Sequence, residues 1–217
     1  MLIIFISRHE KACHEYTSIQ RIMPFQSLDI AKLLGKPLNG VSLALIPNAK
    51  DYYTKRSRDF VVNDLMLYMK QFGINVDVVD LRDYDNPEDI EAKLAGYDLI
   101  WAMGGNTFML HYEMQRSGFD KAIVTLLEKG VVYGGDSAGA LVAGSSIAGI
   151  EASDEPAFAE QVIKEGMNLV PFVLMPHVDN PEFEEVMPVV REMHKNMIEL
   201  KDSQAVIFDG DKHWVVE

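Results

Sequence analysis

The sequence predicts an α/β fold in which helices cover both faces of a mostly parallel sheet and the chain ends in a hairpin. Short apolar runs alternate with longer amphipathic ones, which is typical of crossover helices between buried parallel strands. Near the C-terminal end, Asp209-Gly210 separates two β-prone runs, and this pair favours a tight turn. With 217 residues, 48% of them hydrophobic, and no repeat or linker, the chain is expected to form one domain over 1–217.

Six apolar runs are predicted to be strands, and amphipathic segments between them are predicted to be helices. The runs lie at 2–7, 41–48, 74–81, 98–103, 131–135 and 173–177. One helical pattern ends before Gly73, a second extends from Pro87 to Gly96, and a third covers 119–130. Proline in the first turn and glycine after the last are typical helix boundaries. Because ligands bind beyond the carboxyl ends of the strands in such sheets, the functional residues are expected there.

The composition disfavours several classes of partner. The 33 acidic and 20 basic residues give a formal net charge of −13, and no Lys/Arg cluster is dense enough to follow a phosphate backbone. The single cysteine, Cys13, cannot form an internal disulfide or a multi-thiolate site, and neither a metal nor a cofactor is expected. The first apolar run is too short for a membrane span and lacks a basic leader. We expect a cytoplasmic monomer or homodimer with no nucleic-acid or membrane partner.

Ser137 lies in the segment GDSAG at 135–139, directly after an apolar run. The segment fits the pattern G-x-S-x-G, which exposes a serine Oγ in a sharp strand-to-helix turn whose glycines leave no room for Cβ atoms. The alternative is a turn in which small residues only pack closely. A serine hydroxyl becomes a nucleophile when a base accepts its proton, so the chemical interpretation requires a nearby histidine.

His177 is the candidate base because it ends an apolar run and follows Pro176. Proline restricts the backbone before the histidine and can direct its imidazole to the edge of the sheet. The alternative is a histidine that bonds locally in a turn. The other five follow the first strand, lie in helical patterns or lie on the hairpin: His9, His14, His111, His194 and His213.

A carboxylate is then needed to orient the imidazole and to stabilise its cation. Asp154 is the first choice because it lies between Ser137 and His177 in the chain, in the polar segment EASDEP. Charge alone does not rank the acidic residues nearby. Three competitors remain open: Glu151, Glu155 and Asp179.

Acyl transfer also needs hydrogen-bond donors directed at the developing oxyanion. The amide of Ala138 directly follows the serine and supplies one. Gly104 and Gly105 follow the run 98–103 and supply a second, since glycine lets a backbone N–H approach the substrate closely.

Three polar side chains at the same strand ends are expected to contact a small peptide substrate. Asn106 follows the two glycines, where it is also expected to cap the next helix. Asp136 directly precedes the serine, so its carboxylate is expected to face the substrate's amine. Asp179 lies in the loop that follows the histidine.

Together these residues resemble the peptidase E-like serine peptidases, which include aspartyl dipeptidases and have cyanophycinases as relatives. The resemblance extends over most of the chain and depends on GGNTF, the G-x-S-A-G segment, an acidic residue two before a proline, and PH with a nearby asparagine. It implies a three-layer sandwich of flavodoxin-like or glutamine-amidotransferase-like type, and hydrolysis of short peptides or related amides through an acyl-enzyme. By this resemblance Ser137 is the nucleophile, His177 the base and Asp154 the acid, and the two glycines form the oxyanion loop.

The chain departs from the family pattern where specificity is determined. Aspartyl dipeptidases carry an arginine-bearing loop after the histidine, whereas here the chain passes almost directly into a helix whose only arginine is Arg191. The predicted rim is acidic and is expected to repel an aspartyl side chain. The enzyme is therefore not expected to be strictly aspartyl-specific, unless Arg8, Arg56 or Arg191 completes a cationic pocket.

Two other functions are compatible with parts of this pattern. An esterase of the α/β-hydrolase type shares the elbow and the order Ser, acid, His, although this chain is short for that fold and its oxyanion segment differs. A binding protein without activity on the same fold is favoured if the acid is misplaced.

Overall fold

The structure of the chain is a computed structural model that describes residues 2–6, by their backbone, and residues 30–217. Four residues considered above lie outside the described part: Arg8, His9, Cys13 and His14. The strands are β1 Leu2–Ile6, β2 Ser42–Ile46, β3 Asn75–Val78, β4 Leu99–Ala102, β5 Val132–Asp136, β6 Val173–Met175, β7 Met197–Glu199, β8 Ala205–Asp209 and β9 Lys212–Val216. The helices are α1 Ile30–Leu33, α2 Lys55–Lys70, α3 Pro87–Leu94, α4 Thr107–Arg116, α5 Phe119–Glu128, α6 Ala138–Leu141 and α7 Val186–Met193.

Seven strands form the central sheet in the order β3-β2-β4-β5-β1-β8-β9. The first five run parallel, and β8 and β9 form the antiparallel hairpin at one edge. The predicted fold class is therefore confirmed, including the hairpin. One strand was misplaced: β6 lies outside the central sheet and pairs in parallel with β7 in a separate two-stranded sheet.

Side chains on alternate positions of the central strands enter different cores. Leu43 and Leu45 of β2 belong to one cluster, which includes buried residues of α1 and α2. Ala44 and Ile46 belong to another, which includes buried residues of α3, α4 and α5. Because successive side chains of a strand point to opposite faces, helices on both faces of the sheet follow from runs that are apolar at every position.

The helix α3 begins at the predicted Pro87 and ends at Leu94, two residues before the predicted Gly96. Pro87 opens the helix, and the side chain of Asn86 accepts a hydrogen bond from the Asp89 N–H. Among the described residues, no helix combines the length and the apolar character needed to cross a membrane.

The crossovers bring the carboxyl ends of β4 and β5 to the same edge of the sheet, since the two strands are parallel neighbours.

Candidate active site

The turn after β5 holds Ser137 in a backbone conformation rare for a side chain with a Cβ, at φ 50° and ψ −110°. A Cβ on Gly135 would lie 2.6 Å from the carbonyl carbon of Gly139, and one on Gly139 would lie 2.2 Å from the carbonyl oxygen of Ala102. The Tyr133 hydroxyl also donates to the Gly139 carbonyl, at 2.8 Å. The backbone of this turn is therefore strained at Ser137, and glycine is required on both sides of it.

His177 lies just beyond β6 and is only 1% exposed. Its φ of 67° is also unusual for a residue other than glycine, and its ring stacks on Phe183 at a centroid distance of 4.7 Å. Its Nε2 lies 2.9 Å from the Oγ of Ser137. The structure thus brings together the hydroxyl and the imidazole that the sequence analysis paired.

The carboxylate on the other side of the imidazole is Asp202, not Asp154. His177 Nδ1 lies 2.6 Å from Asp202 Oδ1, and Asp202 belongs to the turn between β7 and β8. The neighbouring loop supports it: the Asp202 N–H donates to Asp179 Oδ1 at 2.9 Å, and the Asn180 side-chain amide donates to Asp202 Oδ2 at 3.4 Å. Asp179 therefore holds the backbone of this turn and does not bond the imidazole.

The sequence analysis looked for a carboxylate between Ser137 and His177 in the chain, whereas the carboxylate that bonds the imidazole follows the histidine by 25 residues. Its position depends on the pairing of β6 with β7, where the Leu200 N–H donates to the Met175 carbonyl and the Val178 N–H donates to the Leu200 carbonyl. A usable signal was present: the polar segment KDSQ directly precedes the apolar run of β8 and is typical of a turn.

The three acidic residues of the segment EASDEP serve other contacts. Asp154 Oδ2 accepts the Thr107 N–H at 2.8 Å. Burial raises the pKa of Asp154, although hydrogen bonding by Thr107 and the nearby His177 oppose that change. Glu151 pairs with Lys164 at 2.6 Å. The carboxylate of Glu155 accepts the Ala157 N–H.

The segment 103–107 after β4 is held by four of its five backbone amides. Met103 donates to Ile46, Asn106 donates to Ala49, Thr107 donates to Asp154, and the Gly104 N–H donates to Asp136 Oδ2 at 3.1 Å. Within the part of the chain that the structure describes, the Gly105 N–H has no protein acceptor, and the same is true of the Ala138 N–H. The Gly104 N–H, which was expected to serve the oxyanion, is therefore already bonded to Asp136.

Gly105 is also a position at which a Cβ does not fit. Its φ is +143°, and a Cβ there would lie 2.3 Å from the carbonyl oxygen of Ala49. The loop lies against the nucleophile, since a Cβ on Gly104 would be 2.9 Å from that of Ser137. The Gly105 and Ala138 amides are thus the available pair of donors beside the serine.

Two side chains that were expected to contact the substrate form hydrogen bonds within the protein. Asp136 is 6% exposed, and its Oδ1 accepts the Trp101 Nε1–H at 2.9 Å. Asn106 caps α4 as predicted, with its Oδ1 accepting the Met109 N–H, but its amide nitrogen donates to the Glu155 carbonyl. Both side chains are therefore bonded within the protein.

A cavity of about 290 Å³ opens beside Ser137 and is lined also by Gly105, Asp154 and Glu182. Its wall includes Lys50, which is 3% exposed and whose Nζ lies 5.4 Å from the centre of the Tyr53 ring. The sequence analysis did not single out this lysine, because nothing in IPNAKDYY distinguishes it from a surface residue.

The arginines considered as alternatives do not line this cavity within the described residues. Arg191 forms a bidentate pair with Glu199, with distances of 2.8 and 2.6 Å. Arg56 is exposed in the first turn of α2. Lys50 is therefore the cation that the described cavity wall provides.

An elbow serine bonded to an imidazole at the strand ends of a mostly parallel sheet is characteristic of the α/β serine hydrolases. Comparison with known proteins identifies the family within this class. Residues 24–216 match the model of Peptidase family S51. The chain therefore belongs to peptidase family S51 and is a serine peptidase of the peptidase E-like kind.

Individual relatives agree with this assignment. An uncharacterised peptidase of Listeria innocua is 34% identical over 150 residues, which cover 69% of this chain and 70% of that protein. A peptidase E of Streptomyces coelicolor is 30% identical over 147 residues, covering 66% of this chain and 54% of that protein. The crystal structure of a candidate peptidase E from Listeria monocytogenes has a TM-score of 0.78 and 24% identity, and covers 99% of this chain and 97% of that one. That likeness shows the same fold.

Proposed function

We propose that the protein hydrolyses short peptides through an acyl-enzyme on Ser137, with His177 as the base and Asp202 as the acid. The observation that carries the proposal is the continuous chain of two hydrogen bonds, from Ser137 Oγ to His177 Nε2 and from Nδ1 to Asp202 Oδ1. This arrangement matches the roles required for nucleophilic catalysis by serine: a nucleophile, a base within reach, and a carboxylate that fixes the imidazole tautomer.

In the first step, Ser137 Oγ forms a bond to the scissile carbonyl carbon while its proton passes to His177 Nε2. The carbonyl oxygen becomes an oxyanion, which the Gly105 and Ala138 amides stabilise. The C–N bond then breaks, and the imidazolium gives its proton to the leaving amine. A water molecule then attacks the carbonyl carbon of the acyl-enzyme while His177 accepts its proton. The bond to Ser137 Oγ breaks, the imidazolium returns the proton to the serine, and the carboxylic acid product leaves. Throughout, Asp202 remains ionised and accepts the Nδ1–H.

The cavity suits a short peptide with a free amino group. Asp154 lines it with a carboxylate whose Oδ2 is held by Thr107, so the carboxylate is fixed in place to bind the substrate's ammonium. Lys50 lies in the same wall and provides a positive charge for the carboxylate at the other end of a dipeptide. A zwitterionic dipeptide therefore complements both charges of the cavity.

This charge distribution supports a peptidase that is not strictly aspartyl-specific. An aspartyl side chain adds a second carboxylate to the substrate, and an unpaired carboxylate in a cavity costs several kcal/mol. The described lining contributes one cation beside the acidic Asp154 and Glu182. Residues with uncharged or basic side chains at the cleavage site are therefore expected to be the better substrates.

The test combines covalent labelling with a substrate panel. A fluorophosphonate probe is expected to label Ser137, and Ser137→Ala is expected to abolish labelling and to lower kcat by about 10⁶-fold. Ser153→Ala is the matched control, because Ser153 lines the same cavity and only its Ile150 contact is lost. Retained turnover in Ser137→Ala overturns the mechanism.

Substrate class is tested on X-Ala and X-Leu dipeptides, their N-acetylated forms and p-nitrophenyl esters. Turnover of free dipeptides above the acetylated forms supports the proposal. Hydrolysis of esters alone would indicate an esterase, and labelling of no residue would indicate a binding protein without activity. A preference of tenfold or more for Asp-Leu would contradict the proposed specificity.

A further inference from the structure

Asp136 links the strand that carries the nucleophile to the loop beside it. It is the last residue of β5 and directly precedes Ser137, and it is buried. Its Oδ1 accepts the Trp101 Nε1–H at 2.9 Å, and its Oδ2 accepts the Gly104 N–H at 3.1 Å. One carboxylate therefore connects the Trp101 side chain of β4, the loop 103–107 and the turn that carries Ser137.

On the basis of the peptidase function proposed above, we propose that Asp136 is a positioning residue that orients the Gly105 N–H toward the oxyanion. The peptide before Gly104 is fixed by the bond to Asp136, and the peptide before Asn106 is fixed by the bond to Ala49 at 2.8 Å. The Gly105 N–H belongs to the single peptide between these two. The direction of the Gly105 N–H is therefore constrained by a hydrogen bond on each side of it. Asp136 accepts the one that is nearer to Ser137.

A carboxylate is suited to this position because two donors meet there. Its two oxygens accept the indole N–H and the backbone N–H together, and hydrogen bonds to an ionised acceptor are the stronger kind. An asparagine offers one oxygen and one NH₂ group, so one of the two donors would face another donor. The loop must then shift, and the Gly105 N–H shifts with it.

A residue that positions the oxyanion donor and a residue that contacts the substrate affect different kinetic constants. Misplacing an oxyanion donor lowers kcat and leaves ground-state binding nearly intact, because the donor acts on charge that develops in the transition state. A contact with the substrate's amine would instead alter KM and would matter only for substrates that have a free amine. Gly104 and Trp101 occupy both oxygens of Asp136, which favours the first role.

The main experiment compares Asp136→Asn with the unchanged enzyme in two reactions. Since loss of a whole oxyanion donor costs about 10²–10³-fold, misplacement is expected to lower kcat for free dipeptides by about 10–100-fold, with KM within about twofold. The rate of fluorophosphonate labelling is expected to fall by a similar factor, although the probe has no amine. Unchanged kcat and labelling, or a loss confined to free-amine substrates, would overturn the role.

Trp101→Phe provides a rescue test that a general packing role would not pass. When Trp101→Phe is combined with Asp136→Asn, the indole N–H is gone and the introduced amide can turn its oxygen to Gly104. The double variant is therefore expected to recover at least severalfold in kcat and labelling over Asp136→Asn, with Trp101→Phe alone as the control. Absence of recovery would contradict the positioning role.

If Asp136→Asn does not fold, the double variant is compared with Trp101→Phe alone. Parallel losses of about two- to fivefold in kcat and labelling are then expected, because an amide oxygen replaces a carboxylate oxygen at Gly104. A higher KM for free dipeptides, with kcat and labelling unchanged, would overturn the proposal. Failure of the peptidase function itself is recognised separately, since the unchanged enzyme would then show neither turnover nor labelling of Ser137.

Discussion

Two carboxylates from different regions of the chain lie near the Ser137–His177 pair, and only one of them bonds the imidazole. Asp202 comes from the turn after β7, and its side chain is 37% exposed while it lies 2.6 Å from Nδ1. Asp154 comes from the segment after α6, lies against the Thr107 N–H, and has a pKa raised by burial. Because Nε2 faces Ser137, a carboxylate that bonds Nδ1 must approach the imidazole from the side of the β6–β7 sheet, where Asp202 lies.

Asp202→Asn is expected to have the largest effect of the carboxylate substitutions. An asparagine can donate to Nδ1 and so favour the tautomer that carries its proton on Nε2, which cannot accept the serine proton. By comparison with other serine hydrolases, kcat is expected to fall by about 10⁴-fold with little change in KM. Steady-state kinetics measure both, with the exposed Asp211→Asn at the hairpin as a control. If Asp154→Asn lowers kcat as strongly, the two roles must be exchanged.

Asp154→Asn is expected to have an intermediate effect that depends on the substrate. Loss of the charge that binds the ammonium is expected to lower kcat/KM for free dipeptides by about 10–100-fold, in line with a charged hydrogen bond worth about 1.5–3 kcal/mol. Labelling by the fluorophosphonate probe is expected to change little. The control is Glu155→Gln, one residue further along. Equal losses in dipeptide turnover and labelling would contradict amine recognition.

The pH dependence of turnover is expected to distinguish Asp154 from Asp202, because ammonium binding needs the ionised carboxylate of Asp154. Burial raises the pKa of this group, so the protonated form accumulates at a higher pH than for an ordinary carboxyl. In the unchanged enzyme, kcat/KM for free dipeptides is expected to fall as the pH decreases through this raised pKa. Asp154→Asn is expected to lose that part of the profile. An identical profile in the variant would argue against the role.

The smallest effect on activity is expected at a third carboxylate, Asp80, which supports the loop that carries Lys50. Asp80 accepts hydrogen bonds from Asn48, Arg58 and Arg82 at 2.6–2.9 Å. Burial by itself would raise the pKa of Asp80, but the hydrogen bonds from Arg82 and Asn48 outweigh it and hold the pKa well below its usual range. This carboxylate acts on stability and not on chemistry.

Asp80→Asn is therefore expected to lower the free energy of unfolding by about 1–3 kcal/mol at pH 7. A carboxyl whose pKa is lower in the folded state stabilises the fold above its unfolded-state pKa of about 4, and that contribution is lost as the pH falls further. Urea unfolding is expected to show a smaller difference at pH 3 than at pH 7, with the exposed Asp83→Asn as the control. A difference that is independent of pH would contradict the charge-based explanation.

Several features of this protein depend on residues that are neighbours in the chain and can therefore be predicted without a structure. Runs that are apolar at every position require cover on both faces, which defines the α/β class. The turn at Ser137 is local at Gly135, where a Cβ would meet the Gly139 backbone, but the constraint on Gly139 comes from the Ala102 carbonyl of β4. His177 was singled out because it ends an apolar run after Pro176, although that strand pairs outside the central sheet.

Other contacts of the site depend on residues far apart in the chain. The partner of the imidazole depends on the pairing of β6 with β7, which places Asp202 beside Nδ1, whereas Asp154 bonds the Thr107 N–H. The choice of Gly105 over Gly104 depends on Asp136 accepting the Gly104 N–H. A carboxylate or an amide acquires its role from the donor or acceptor that folding brings within about 3 Å, and sequence spacing does not fix that partner across separate strands and turns.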